Sequence, residues 1–570
     1  MGQQVITYTQ IPTKGLYTSS VADAIGPEYA PWCQNVRFRF GQIIKCPGRS
    51  ATQQTLSSAL MDFALHTDAA GTKTVFGITS SGGPGAYTTS AATYDKTANQ
   101  FATPFTLGLT SQQEARASWT CGEEKLMIVR ASTIAAVSNS GGPWAVEQVS
   151  SPAGLFLEYF KNHVFLSNII GAANRVQWSA RGQYNDWATT QTHGGFLDLY
   201  DGTVEAITGA KILGDRLVVY RMSSITDMVA SGDDESPFLP EGRIYGIGCL
   251  CPWSLVNLGQ YHMFLGNDYN VYAWDGINLN PVGTPVHSYI RQLYDPGNTQ
   301  WYTAPFAAAF MGYKEYWLAI YVNNQTFILI YDYLRDTWTR DFIPGVGLTA
   351  LYEQLLTGTG GPGYSQIGYP SLYPCLMAAR GTTYYVIDER IDGDRLNRST
   401  DGGTDMFVDT PDMYYDAKSH LQNSTLERVM VSEGMPRSSG EPAFQLQVSI
   451  DRGNNFATSQ NIQPTDVHWG FEFSDLNITS NVRRYRFNYP KERGAGAPSL
   501  RGYTDVHIPS GEFFPVNRPI GTQLSNVPPT GVDTRQVRIP VGEDEVVSPA
   551  VRRPDSEDIR GIPGRDDEPG

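Results

Sequence analysis

Short runs of apolar residues alternate with polar residues and glycines along most of the chain, and each run is too short for a helix of ordinary length. Period-two alternation bounded by turn residues predicts β-strands. Pairs of such runs meet at polar hairpin turns near Gly71, Gly122, Asn162, Gly214, Gly259, Gly312 and Gly381. These turns lie 51, 40, 52, 45, 53 and 69 residues apart. A second element follows several of them, an apolar strand ending in an aromatic or aliphatic residue and then Asp: Tyr94-Asp95, Trp274-Asp275, Tyr331-Asp332 and Ile387-Asp388. In two copies an aromatic stands six places after the Asp (Phe101, Trp338), as though a turn returned the chain to one packing slot. The unit is therefore strand, turn, strand, loop, strand, Asp turn, aromatic strand.

Four strands in about 40 to 50 residues is the size of a β-propeller blade, whose small sheet buries its faces only by stacking on neighbours. The repeat predicts an all-β fold with a propeller of six or seven degenerate blades over residues 51–403; a large irregular β-sandwich is the alternative. Its inner and central strands should include Leu217-Val218-Val219, Met263-Phe264-Leu265 and Phe327-Ile328-Leu329-Ile330. Residues 1–50 read as an extended N-terminal segment. Strands of another texture follow, at 426–432, 444–450, 471–473, 482–489 and 503–508, and predict an antiparallel, sandwich-like domain over 404–518. From 519 to 570 the chain holds eight Pro and six Gly, the composition of an extended or disordered arm.

Composition then narrows the chemistry. The 570 residues carry 42 basic and 57 acidic side chains, a formal charge of −15, against the dense basic patches of proteins that grip phosphate. The start lacks a secretory pattern and the myristoylation pattern, and no window of 18 apolar residues occurs, so a protein made in the cytosol without stable membrane insertion is expected. Cys33, Cys46, Cys121, Cys249, Cys251 and Cys375 form no C-x-x-C pair and read as buried or indifferent thiols. His66, His163, His193, His262, His287, His420, His468 and His507 include no H-E-x-x-H. Asp392-Gly393-Asp394 lacks the spacing of a Ca²⁺ loop, and the glycines around Pro84 precede no helix pattern. Ser449-Ile450-Asp451-Arg452-Gly453-Asn454-Asn455-Phe456 fits the Asp-box of sialidase propellers, with a weaker echo at Ser399-Thr400-Asp401-Gly402-Gly403; that motif builds a turn, with Asp capping backbone N–H groups and Gly supplying positive φ. No catalytic residue, metal ligand or cofactor-binding residue is singled out, and no enzyme is expected.

The segment Gln34-Asn35-Val36-Arg37-Phe38-Arg39-Phe40-Gly41, running on to Pro47-Gly48, resembles the N-terminal signature of the tail nozzle, or packaged-DNA stabilisation, proteins of short-tailed bacteriophages. Val176-Gln177-Trp178-Ser179-Ala180-Arg181-Gly182-Gln183-Tyr184-Asn185-Asp186-Trp187 is similar to their W-S-x-x-G-x-x-x-D-W segment. Asp201-Gly202-Thr203, Leu213-Gly214-Asp215-Arg216, Gly246-Ile247-Gly248-Cys249 and Trp274-Asp275-Gly276 follow in the same order, so the resemblance spans residues 34–276 with a looser fit to 400. It implies a structural subunit of a virion tail: a homohexameric ring on an adaptor or portal ring, with fibres or spikes nearby and genomic double-stranded DNA passing without sequence-specific binding. The 404–518 domain and the arm match nothing in that family. The competing reading is a glycan-binding or sialidase-like propeller of a tail spike, for which Trp301-Tyr302 and Tyr364 would supply sugar-stacking rings.

Overall fold

The computed structural model describes residues 5–513 except 10, 23, 47, 50–53, 84–85, 96–99, 112–114, 140–142, 190–193, 201–203, 234–235, 298–303, 324, 344–347, 357–372, 389–405, 415–421, 434–444, 459–464, 468–469, 475 and 489–499. Seven antiparallel sheets follow one another along the chain, each built mainly from strands adjacent in sequence. Their first strands are Ala59–Thr67, Ser118–Gly122, Phe156–Phe160, Ile207–Leu213, Val256–Asn257, Phe306–Phe310 and Ala350–Leu356. Each first strand packs on the next, and the seventh packs back on the first. That closed cycle is a seven-bladed β-propeller with the first strands around its axis.

Local chemistry explains the blades. Six of the seven predicted hairpins join strands one and two. Gly214 takes φ +62° between Ile207–Leu213 and Arg216–Arg221, and Lys161 and Asn162 both take positive φ between Phe156–Phe160 and His163–Ile169, as a two-residue hairpin turn requires. The seventh, at Gly381, instead joins strands two and three of the last blade (Tyr373–Arg380, Thr383–Asp388), which is why its interval is long. All four aromatic- or aliphatic-Asp pairs fall at the end of a third strand. Asp332 Oδ1 accepts the N–H groups of Leu334 and Arg335, and Asp275 Oδ1 those of Ile277 and Asn278, so the carboxylate shapes the turn into strand four. The turn does return an aromatic to a fixed slot: Trp338 pairs with Tyr331 and Phe101 with Tyr94, with ring centroids 5.0 and 5.1 Å apart.

Each blade buries its faces against two neighbours, and every one of the seven interfaces has its own apolar cluster. Leu217, Val218, Val219, Met263, Phe264, Leu265, Ile328, Leu329 and Ile330 are fully buried there. The fifth-to-sixth cluster differs from the rest, because Met263, Leu265, Tyr316 and Leu329 continue into the core of a second body.

That body is a two-sheet sandwich made from both ends of the chain. One sheet orders Val36–Arg39, Gln42–Lys45, Leu500–Phe513, Gln422–Glu433, Gly470–Phe473 and Thr465–Val467, with Val5–Thr9 on Leu500–Phe513 and Ile478–Ser480 on Gln422–Glu433. The other orders Cys33–Gln34, Phe407–Asp409, Val482–Asn488, Gln445–Ser449 and Ala457–Thr458, with Met413–Tyr414 on Val482–Asn488. Val429, Val431 and Tyr503 of the first sheet and Val448, Tyr485 and Phe487 of the second share one core. Residues 1–50, read from the sequence as a separate extended segment, thus supply strands to this sandwich. Gly48–Arg49 and Gln54–Thr55 then pair with Thr383–Asp388, closing the propeller ring between its last blade and the start of the chain. The N-terminal run has too little apolar material for a sheet of its own, so its pattern does not announce partners more than 300 residues away.

Candidate functional site

Among the described side chains, three charges stand on the otherwise apolar first strands: Asp62, Glu158 and Lys211. With Arg116, just before the second blade's first strand, they line a cavity of about 560 Å³ on the propeller axis, within the size range that takes a small ligand. Phe156 and Phe306 open their strands and Trp253 shortly precedes its own, so these rings share one end of the axis with Arg116. Phe156 and Trp253 lie 5.7 Å apart by ring centroid, and the Arg116 guanidinium carbon sits 4.1 Å over the Phe306 ring.

Arg116 is 3% exposed. Its Nη1 donates to Met61 O (2.8 Å) and Thr349 O (2.5 Å), backbone acceptors in the first and last blades. Its Nε and Nη2 are buried and have no hydrogen-bond partner. Burial lowers its pKa to about 10, against the opposing pull of Asp62. Burial pushes Asp62 up to about 6, with Arg116, the Phe63 N–H and Lys211 pulling the other way. The Phe63 N–H donates to Asp62 Oδ1 at 2.8 Å. Glu158 is likewise raised by burial, while Lys211, its ion-pair partner, lowers it. Among the described side chains, two acids and two bases thus face one another in this space. What the arrangement can do is bind and orient a polar molecule.

Of the segments singled out by resemblance, two lie at joints away from the axis, Gly214 and Asp275 sit in turns within single blades, and residues 201–203 lie outside the described residues. Arg37 is bidentate to Asp341 (2.8 and 2.8 Å) and approaches Glu315 (3.3 Å), while Arg39 Nη2 donates to Glu315 Oε1 (2.7 Å) and Trp317 Nε1 to Glu315 Oε2 (2.8 Å). All four charged groups are buried, so this network bolts the sandwich strand Val36–Arg39 to the sixth blade. The stretch from Trp178 to Trp187 is a strap: Trp187 packs in the cluster between the second and third blades, and Tyr184 donates to Glu147 Oε2 of the second blade at 2.6 Å. His163 Nδ1 and the Val164 N–H hold Ser179 at its base.

The Asp-box is a turn in the sandwich, not in a propeller blade. The Ser449 hydroxyl donates to Asp451 Oδ1 (2.7 Å), Gly453 N–H to Ser449 Oγ (2.8 Å) and Asn455 N–H to Asp451 Oδ1 (2.9 Å), with Gly453 at φ +85°. Cys33, Cys249 and Cys251 are buried free thiols, and burial raises the pKa of each. His262 Nε2 donates to Ile212 O and Nδ1 accepts from Tyr220, a strut between the fourth and fifth blades, and burial lowers it to about 4. Among the described residues no group of three or more His, Cys, Asp or Glu is placed to hold a metal ion. Residues 392–394, 399–403 and 519–570, Trp301, Tyr302, Tyr364, His193, His420 and His468 lie outside the described residues.

The axial residues were missed in the sequence. The available signal was a lone charge inside an apolar first strand, as in ALMDFALHT, FLEYF and ITGAKIL.

No protein-family model and no curated protein matches the chain. Among solved structures it is similar to the WD40 domain of Neurospora crassa Pan2 (8% identity, TM-score 0.31, covering 60% of this chain and 98% of that one). It is also similar to the WD40 domain of Toxoplasma gondii coronin (8%, 0.34, 63% and 86%) and to a Lactobacillus plantarum protein (12%, 0.32, 57% and 99%). The assignment of the fold rests on the closed cycle of blades.

Proposed function

We propose that the chain is a structural subunit of the tail nozzle of a short-tailed bacteriophage, without catalytic activity. In this reading it assembles into a ring, joins an adaptor or portal ring in the virion tail, and helps retain packaged DNA and conduct it during ejection. The observation that carries the reading is where two of the resembling segments lie. Arg37 and Arg39 clamp sandwich to propeller, and the Trp178-to-Trp187 strap ties blade to blade. Residues spent on joints fit a part that must withstand load, and an enzyme's signature would gather at a cavity. The axial cavity of one subunit is of small-molecule size, so the conduit is the bore of the ring. A bore that lets DNA slide avoids rows of Lys and Arg, which would release counterions and hold the duplex; the formal charge of −15 agrees with this.

Negative-stain microscopy of the purified chain, alone and with tail adaptor rings, tests the reading. Rings with an axial hole, together with only weak and strongly salt-sensitive duplex binding, are the expected result. Monomers that do not assemble on adaptor rings, or turnover of a sialoside or host polysaccharide, would replace it with the spike-like alternative.

A further inference from the structure

The axial cavity holds two unmet valences of opposite kind. One is a donor edge. Elsewhere in this chain the guanidinium edge formed by Nε and Nη2 takes a carboxylate side-on: Arg175 holds Asp198 at 2.7 and 2.8 Å, and Arg486 holds Asp409 at 2.6 and 2.8 Å. In Arg116 the same two atoms are buried and unpaired. A buried donor without an acceptor is costly, and a charge-assisted bidentate pair is among the stronger ways to satisfy it. The other valence is an acceptor. Asp62, which lines the cavity with Arg116 and Lys211, receives the Phe63 N–H on Oδ1. Glu158 and Lys211 form an ion pair with each other. Phe156, Trp253 and Phe306 give the space an aromatic floor.

We infer that the axial cavity is a binding site for a small zwitterion of the α-amino-acid type with an apolar side chain. Its carboxylate takes the free edge of Arg116, its ammonium meets Asp62, and its apolar body lies against Phe156, Trp253 and Phe306. A zwitterion answers both valences at once, whereas a simple anion leaves Asp62, and a simple cation the Arg116 edge, without a partner. The assignment stands apart from the tail reading, since it concerns one propeller and not a ring.

The test is titration of the full chain with L-phenylalanine, 3-phenylpropionate (carboxylate alone) and phenethylamine (ammonium alone), read by calorimetry and by tryptophan fluorescence. Saturable binding of L-phenylalanine, with both single-charge analogues at least tenfold weaker, is the expected result. Asp62→Asn, close in size and shape, should weaken L-phenylalanine at least tenfold and leave 3-phenylpropionate unchanged, while Arg116→Gln should weaken both. Where Arg116→Gln fails to fold, Asp62→Asn and the analogue series still decide. No heat or fluorescence change with L-phenylalanine, equal binding of the three probes, or undiminished binding by Asp62→Asn would each overturn the assignment.

Discussion

The propeller and the sandwich are both antiparallel β-structure, yet they are assembled by opposite rules. In the propeller a strand pairs with its neighbour in sequence, and a blade such as Ile207–Leu213 to Phe238–Tyr245 is complete within about 40 residues. In the sandwich Val5 pairs with His507, Cys33 with Val408 and Ile43 with Leu500. Hairpins cost little loop-closure entropy, whereas pairings across most of the chain cost more and form late. The two bodies are nonetheless joined, because the N-terminal run serves both and the fifth-to-sixth blade interface shares its core with the sandwich. The comparison teaches that the propeller closes through the same N-terminal run that supplies strands to the sandwich.

The largest effect should follow deletion of residues 1–56, which removes sandwich strands and the strands that close the last blade. Both bodies should lose cooperative unfolding in urea, followed by circular dichroism; a propeller transition unchanged from the full chain would show that the coupling is not real. Next comes Arg37→Ala, which leaves Asp341 and part of Glu315 buried without a partner and should cost about 3 to 5 kcal/mol. Equilibrium unfolding of Arg37→Ala, Asp341→Ala and the double variant should give a non-additive sum, as groups in one network do. Leu217→Ala, fully buried between the third and fourth blades, should cost about 2 to 5 kcal/mol, again read by unfolding midpoint.

Two titrations sharpen the comparison within the propeller. His262 is held neutral down to about pH 4 when folded, while an unfolded histidine takes its proton near 6.5. The unfolded state therefore binds more protons in that window, and stability present above pH 6.5 should fall by up to about 3 kcal/mol as the pH drops toward 4. Asp62 acts in the other direction: the folded state holds its proton to about pH 6, so its contribution is lost as the pH rises from about 4 to 6. Melting temperatures of His262→Phe and Asp62→Asn across pH 4 to 7 should separate the two slopes, the first variant being less acid-sensitive than the parent. The smallest effect belongs to the Arg175–Asp198 pair on the rim, whose side chains are 29% and 42% exposed. Its removal by Arg175→Ala should change stability by less than about 1 kcal/mol.

The legible part of the fold follows this division. Hairpin turns, the third-strand Asp and the returning aromatic were all visible because each depends on residues within a dozen positions. The exact blade number was not legible, and the last hairpin, at Gly381, departs from the other six by joining strands two and three. The Asp-box was readable as a turn, but its place in the sandwich was not. For the axial site only the lone charges were visible. Nothing local says that Asp62, Arg116, Glu158 and Lys211, spread over four consecutive parts of the ring, meet at one axis.

The amino-acid sequence by itself determined the all-β character, the blade-sized repeat, the turn chemistry and the separate texture of the C-terminal strands. These follow from side-chain alternation and from backbone conformations that Gly, Asn and Asp favour, which act over a few residues. Tertiary structure alone decided that seven blades close into a ring, that residues 5–45 add strands to a sandwich built with residues 407–513, and that Arg37 and Arg39 become a buried clamp. Edge strands have unsatisfied N–H and C=O groups whatever their sequence, and which strand satisfies them depends on what the folded chain brings alongside.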